Sequence, residues 1–68
     1  MLLNESKVSR YRAYANLKSG GKDYRYLSED GDIRELDDWL HHQVHTGRAI
    51  GGDVEMWIEG FGWCIYED

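Results

Sequence analysis

The sequence predicts an α+β fold with the element order ββαββ, in which two hairpins form a four-stranded antiparallel sheet and one helix packs on one face. Two observations predict it. Apolar residues recur at helical spacing between residues 33 and 46, and they alternate at period two on both sides of that segment. Each alternating segment is interrupted by glycines at the point where a hairpin would turn.

The first alternating segment, residues 8–18, is predicted to be a strand because its apolar and polar residues separate onto two faces. A helix over residues 5–18 is the alternative, since the alanines and basic residues of the segment favour helices. A Gly20-Gly21 loop would pair the strand with residues 23–27. The expected register places three pairs opposite each other: Leu17 with Tyr24, Ala15 with Tyr26, and Lys18 with Asp23.

Residues 33–46 are predicted to form the helix. It begins at a capping box of Asp32 and Glu35 and ends at Gly47, with acids near its start and histidines near its end, as the helix dipole favours. Trp39 lies at the edge of the apolar stripe that should face the sheet. The stripe itself contains four residues: Ile33, Leu36, Leu40 and Val44.

The second hairpin is predicted from residues 54–59 and 63–66, which alternate around Gly60 and Phe61. A two-residue type II′ loop accepts glycine at its first position, so these two residues are expected to form the turn. The resulting register has two pairs: Ile58 with Trp63, and Met56 with Ile65. The inner face would contain Val54, Met56, Ile58, Trp63 and Ile65, and the outer face Glu55, Trp57, Glu59, Cys64 and Tyr66.

Size and composition limit the possible functions. The 68 residues are 41% apolar, too rich for a disordered chain, yet so small a domain has little room for a deep catalytic cleft. We therefore expect a single domain over residues 1–68, with residues 1–6 as a flexible tail, no enzymatic activity and no cofactor. The lone Cys64 forms no internal disulfide, and no apolar run approaches the roughly 20 residues of a membrane span, so we expect a cytoplasmic protein.

The net charge of −5 is an average over two unlike regions. Residues 1–27 contain six basic and two acidic side chains, a balance of +4, whereas residues 28–68 contain two basic and eleven acidic ones, a balance of −9. The two regions suit different partners, because a basic surface complements phosphate backbones and an acidic surface complements basic proteins. A protomer with both regions could also associate with a copy of itself.

The acidic region leads to the first functional hypothesis, a non-enzymatic interaction module that docks on a basic surface of a larger protein. Exposed tryptophan and tyrosine are favoured anchors at protein interfaces, and carboxylates would steer the approach. The candidate partner-binding residues are Asp37, Asp38, Glu55, Trp57, Glu59 and Tyr66. In size and acidity the chain is similar in kind to small phage-encoded inhibitors of nucleic-acid enzymes, such as anti-CRISPR and anti-restriction proteins. This likeness is one of class rather than of motif, and it implies that the acidic surface mimics nucleic acid.

The alternative hypothesis is nucleic-acid binding through the basic first hairpin, where arginines would meet phosphates and an aromatic ring would stack on a base. The candidate residues of that face are Arg10, Arg12, Tyr14, Lys18 and Arg25. A third hypothesis is a metal site on the helix, because His41 and His45 lie four residues apart and can bind one ion from one side. Such a site would need further ligands, and histidines at a helix end also suit the dipole without a metal.

Overall fold

The computed structural model describes residues 8–66, with side chains from Arg10 onward. Its elements are β1 (Val8–Leu17), β2 (Lys22–Tyr26), α1 (Arg34–His45), β3 (Ala49–Ile58) and β4 (Gly62–Ile65). The strands form one antiparallel sheet in the order β2-β1-β3-β4. The predicted ββαββ fold is confirmed, and the segment 8–18 contains a strand rather than a helix. The tail predicted for residues 1–6 lies outside the described residues.

The helix packs across one face of the two long central strands, β1 and β3, and we call this side of the sheet the helix face. Small residues line the contact: Ala13 and Ala15 of β1 are fully buried, and Gly52 of β3 lies opposite Ala15. Leu36 of α1 is also fully buried. The short side chains of the central strands therefore let the helix approach the sheet closely.

The ends of α1 (Arg34–His45) follow the predicted signals. The N–H of Asp32 donates to Oε2 of Glu35 at 3.0 Å, as the capping box predicts, but the carboxylate of Asp32 accepts from the N–H of Arg34 at 3.0 Å rather than from that of Glu35. Gly47 follows the helix with a φ of 80°, a conformation that glycine adopts without strain. No helix in the described part of the chain is long and apolar enough to cross a membrane.

The buried stripe of α1 differs from the prediction at its C-terminal end. Leu36 is fully buried, but Val44 is 42% exposed, and the interior position belongs to Gln43, which is 7% exposed. At 3.6 residues per turn, residue 43 points within about 20° of residue 36 and residue 44 about 80° away, so helix geometry selects the polar residue. Its amide is satisfied there, because the guanidinium of Arg48 donates to Oε1 of Gln43.

The predicted register of the first hairpin was wrong by three residues. The N–H of Gly20 donates to the carbonyl oxygen of Leu17 at 3.0 Å, and Gly20 has a φ of 102°, as in a three-residue hairpin loop. An odd shift turns a strand over, so Tyr24 and Tyr26 lie on the side of the sheet opposite the helix. The observed pairs include Arg12 with Tyr26, Tyr14 with Tyr24, and Ala15 with Asp23.

The predicted register of the second hairpin was also wrong, here by one residue. The N–H of Phe61 donates to the carbonyl oxygen of Ile58 at 2.9 Å, and Gly60 occupies the third turn position with a φ of 89°. The loop therefore has three residues rather than two, and β4 turns over. Trp63 and Ile65 move to the side opposite the helix, whereas Cys64 and Tyr66 move to the helix face. The observed pairs include Trp57 with Trp63 and Met56 with Cys64.

Candidate functional site

The side of the sheet opposite α1 carries most of the aromatic and basic side chains of the strands, and we call it the open face. The alternation of each strand and the pairing between strands place the same set of residues there. The set contains Arg10, Arg12, Tyr14, Lys22, Tyr24, Tyr26, Asp53, Glu55, Trp57 and Trp63.

Four rings of this set form a continuous row across the sheet, from β2 to β3 and β4, which we call the aromatic row (Tyr24, Tyr26, Trp63 and Trp57). Successive ring centroids are 6.4, 6.1 and 5.5 Å apart. Tyr24 and Tyr26 are 42% and 55% exposed, and the two tryptophans are half-buried. The row therefore offers ring surface to a ligand while its rings support one another.

Arg12 lies within the aromatic row and is largely covered by it. Its Cζ is 4.0 Å from the ring centroid of Trp63 and 4.6 Å from that of Tyr24. Its Nε donates to Oε1 of Glu55 at 2.8 Å, and its Nη1 donates to the hydroxyl of Tyr26 at 3.2 Å. Burial opposes the charged form, but these hydrogen bonds outweigh it and raise the pKa of Arg12. The guanidinium is thus a fixed positive charge beneath the rings.

Two further cations stand over rings of the open face and are exposed. The Cζ of Arg10 lies 5.4 Å from the ring centroid of Trp57 and 5.6 Å from that of Trp63. The Nζ of Lys22 lies 4.3 Å from the ring centroid of Tyr14. Arg10 pairs with Trp57 near one end of β1, whereas Lys22 pairs with Asn16 near the other end, so the two cations flank the aromatic row.

The two carboxylates of the open face are both engaged. Glu55 is held by Arg12, and its side chain is 15% exposed. Asp53 accepts a hydrogen bond from the hydroxyl of Tyr14 at 3.2 Å. Burial and the charge of Asp53 both raise the pKa of Tyr14, so this hydroxyl remains a donor at neutral pH. The charge of Glu55 is therefore paired with Arg12, whereas Asp53 keeps its negative charge beside Tyr14.

The predicted nucleic-acid face is brought together in part. Arg10, Arg12 and Tyr14 share the open face, as expected. Lys18 lies in the β1–β2 turn and is exposed. Arg25 is on the helix face, because the register of β2 is inverted, and there it lines a groove of about 370 Å³ beside α1. The sequence interpretation missed Tyr24, Tyr26 and Trp63, and only the turn lengths set by the glycines could have located them.

The predicted partner-binding residues do not form one surface. Glu55 and Trp57 lie on the open face, and Glu59 is exposed in the β3–β4 turn. The expectation that Tyr66 stands beside Trp57 was wrong: Tyr66 is on the helix face, with its ring edge-on to that of Tyr11 at 5.8 Å. Tyr66 and Asp37 instead line a common groove of about 360 Å³ between α1 and the sheet.

The acidic residues collect on α1 and on the loop before it, which together we call the acidic layer. Its exposed carboxylates are Glu29, Asp30, Asp32, Glu35, Asp37 and Asp38. Arg34 lies among them and binds Asp32 at 3.0 Å. Hydrogen bonds from the Arg34 side chain and backbone lower the pKa of Asp32. The acidic layer therefore holds six of the eleven acidic residues of region 28–68, whereas Asp53 and Glu55 of that region lie on the open face.

His41 and His45, the metal candidates, are both exposed on α1. No three side chains of the metal-binding types come together anywhere in residues 8–66. Cys64 is half-buried on the helix face, and its Sγ lies 3.7 Å from the carbonyl oxygen of Gly62.

Comparison with protein-family models, with curated proteins and with solved structures finds no match to this chain.

Proposed function

We propose that the protein is a non-enzymatic binding module that takes single-stranded nucleic acid on the open face of its sheet. The observation that carries the proposal is the aromatic row, flanked by Arg10 and Lys22. Proteins that bind single strands combine stacking rings with cations that follow the phosphate backbone. Each base has a flat face, so such a site accepts unpaired bases without needing to read their edges.

The distribution of charge supports this proposal despite the net charge of −5. The acidic layer lies on the far side of the sheet from the aromatic row, about 10 Å or more from it in a two-layer fold. A Debye length is about 8–10 Å at physiological salt, so the carboxylates of that layer are largely screened from a strand on the open face. The exposed carboxylates of the acidic layer would repel phosphates, which disfavours binding of a strand on the helix side of the molecule.

A single strand fits the open face better than a duplex does. The bases of a duplex are stacked on one another, and its major groove admits a helix or a two-stranded ribbon rather than the broad face of a four-stranded sheet. Unpaired bases can lie flat on exposed rings such as Tyr24 and Tyr26.

The test is a titration of tryptophan fluorescence with an oligothymidylate of about 16 nucleotides. We expect saturable quenching at low salt that weakens as salt rises, and an affinity loss of about tenfold in Tyr26→Ala, because one stacked base contributes about 1–3 kcal/mol. Val44→Ala, on the exposed side of α1, is the matched control and should bind as the wild type does. Equal binding of a duplex of the same length would contradict the proposal.

A second candidate function is favoured by the acidic layer. In this alternative the protein is an inhibitor-like interaction module that docks on a basic surface of a larger nucleic-acid enzyme, in the manner of a nucleic-acid mimic. Asp37 and Tyr66 support it, because they line one groove and would supply a charge and an aromatic contact together. The cytoplasm, where Cys64 stays a thiol, is the compartment that either function implies.

The second candidate is tested with a basic nucleic-acid-binding protein as the probe. Binding should weaken between 50 and about 300 mM salt, since screening reduces the attraction of exposed charges. Asp37→Asn with Asp38→Asn should weaken it further, whereas Tyr26→Ala on the open face should not. Binding that is unchanged across this salt range would exclude the electrostatic mechanism.

A further inference from the structure

Arg12 is the least available cation of the open face. Its side chain is 17% exposed, whereas Arg10 and Lys22 are exposed residues. Two of its guanidinium nitrogens are already committed, one to Glu55 at 2.8 Å and one to the hydroxyl of Tyr26 at 3.2 Å. A phosphate would have to displace these contacts and the covering rings to reach it.

The same guanidinium contacts most of the aromatic row at once. Its Cζ lies 4.6 Å from the ring centroid of Tyr24, 5.9 Å from that of Tyr26 and 4.0 Å from that of Trp63. These rings come from β2 and β4, the two edge strands, and Arg12 lies on β1 between β2 and β3. A planar guanidinium can hydrogen-bond in its plane while its faces contact rings, which an ammonium cannot do. Arg12 therefore joins rings that the backbone alone leaves on separate strands.

We propose that Arg12 is a positioning residue that holds the rings of the aromatic row in place, and that Arg10 and Lys22 make the phosphate contacts. This inference rests on the proposed binding of a single strand. It specifies the ligand further: a short unpaired tract held by stacking, with two phosphates neutralised, one on each side of the row.

A positioning residue such as Arg12 and a phosphate contact such as Arg10 or Lys22 should affect the salt dependence of binding differently. For single strands the slope of log K against log salt is about −0.7 per neutralised phosphate, so two contacts predict a slope of about −1.4. Arg10→Gln and Lys22→Gln should each bring the slope about 0.7 closer to zero. Arg12→Gln and Arg12→Lys should keep the wild-type slope and lose about tenfold in affinity, as expected when a base loses its stacking platform.

Arg12→Lys is the decisive variant, because it keeps a positive charge opposite Glu55 and so preserves the pairing of the central strands. If Arg12 contacted a phosphate, the lysine would replace that contact, and the variant would keep both the slope and most of the affinity. That result would overturn the inference. A slope change in Arg12→Gln equal to that in Arg10→Gln would overturn it as well. Arg25→Gln, on the helix face, is the matched control and should change neither the slope nor the affinity.

A measurement without ligand separates this inference from the proposed function. Nuclear Overhauser contacts between the rings of Tyr26 and Trp63 should be present in the wild type, Arg10→Gln and Arg25→Gln, and lost in Arg12→Lys. If they persist in Arg12→Lys, the positioning role is wrong even where binding is observed. If the wild type fails to bind any single strand, the proposed function and the phosphate assignment fall, and the ring contacts alone still decide the positioning role.

Discussion

Leu40 of α1 lies directly over Gly52 of β3, so closely that a β-carbon placed on residue 52 would come within 2.8 Å of Leu40 Cδ1. The same β-carbon would lie 2.0 Å from the carbonyl oxygen of Tyr14 on the neighbouring strand. The absence of a side chain at this position sets the distance between the helix and the sheet.

Gly52→Ala should destabilise the domain by about 2–3 kcal/mol, because overpacking a close contact forces the backbone to shift. A domain of this size has roughly 3–5 kcal/mol in total, so the variant should be largely unfolded at modest urea concentrations. Gly51→Ala is the matched control, since a β-carbon there meets nothing within 4 Å. Urea unfolding followed by circular dichroism measures both, and equal midpoints for the two variants would contradict the close contact.

Leu36→Ala and Val44→Ala test the corrected stripe of α1. Leu36 is 0% exposed, so all of its side-chain contacts are with the core. Its truncation to alanine should lower the free energy of unfolding by about 3 kcal/mol. Val44 is 42% exposed, and its truncation should change the free energy of unfolding by less than about 0.5 kcal/mol. Chemical denaturation of both variants gives the comparison. A similar decrease in the free energy of unfolding of the two variants would contradict the placement of Val44 outside the core.

Stability should fall at alkaline pH in part because of Tyr14. Burial, followed by the nearby charge of Asp53, raises its pKa above the ordinary value of 10.0. The unfolded chain loses the proton first, so the contribution of Tyr14 is complete below pH 10 and is lost as the pH rises through the folded-state pKa. Unfolding curves collected across this range should show a shallower loss in Tyr14→Phe. Asp53→Asn should lower the pKa of Tyr14 when the ring is followed by NMR, and an unchanged value would exclude the role of Asp53.

The start of α1 should be sensitive to acid through Asp32. Hydrogen bonds from Arg34 lower the pKa of this carboxyl below 3.8, so its contribution is present above that pH and is lost as the pH falls through the folded-state pKa. Asp32→Asn keeps an acceptor at the cap and should remove the acid dependence while retaining helicity at neutral pH. Asp32→Ala should lower the urea midpoint at neutral pH. Helix content measured by far-ultraviolet circular dichroism from pH 2 to 7 distinguishes the three proteins.

The sequence predicted the order of the helix and strands, but it did not predict which residues of β2 and β4 lie on which side of the sheet. Period-two alternation identified β1, and Gly47 marked the end of α1, because both depend on local backbone preferences. The sides of β2 and β4 depend on whether a glycine-containing loop has two or three residues. β4 carries apolar residues on both sides, and β2 turns its tyrosines away from the helix and Asp23 and Arg25 toward it, so hydrophobicity could not decide between the registers. The sequence therefore did not predict the aromatic row, because the row depends on the register of β2 and β4.

Gln43 illustrates a second limit. A polar residue was not expected in the buried stripe, and its burial depends on a hydrogen bond from Arg48, five residues along the chain. Spacing alone could have identified position 43 as buried, since it lies two turns after Leu36. Because glutamine is polar, the prediction placed Val44 in the buried stripe instead. The donor that satisfies this amide, the guanidinium of Arg48, becomes visible only when the chain beyond Gly47 is placed.

The two tryptophans at the end of the aromatic row have an optical consequence. The indoles of Trp57 and Trp63 are 5.5 Å apart and inclined at 69°, an arrangement in which their electronic transitions mix. Trp39, the third tryptophan, is half-buried on α1, on the other side of the sheet from the pair. We therefore expect an exciton couplet in the circular dichroism spectrum, whose sign and size would report the geometry of the open face without any attached label.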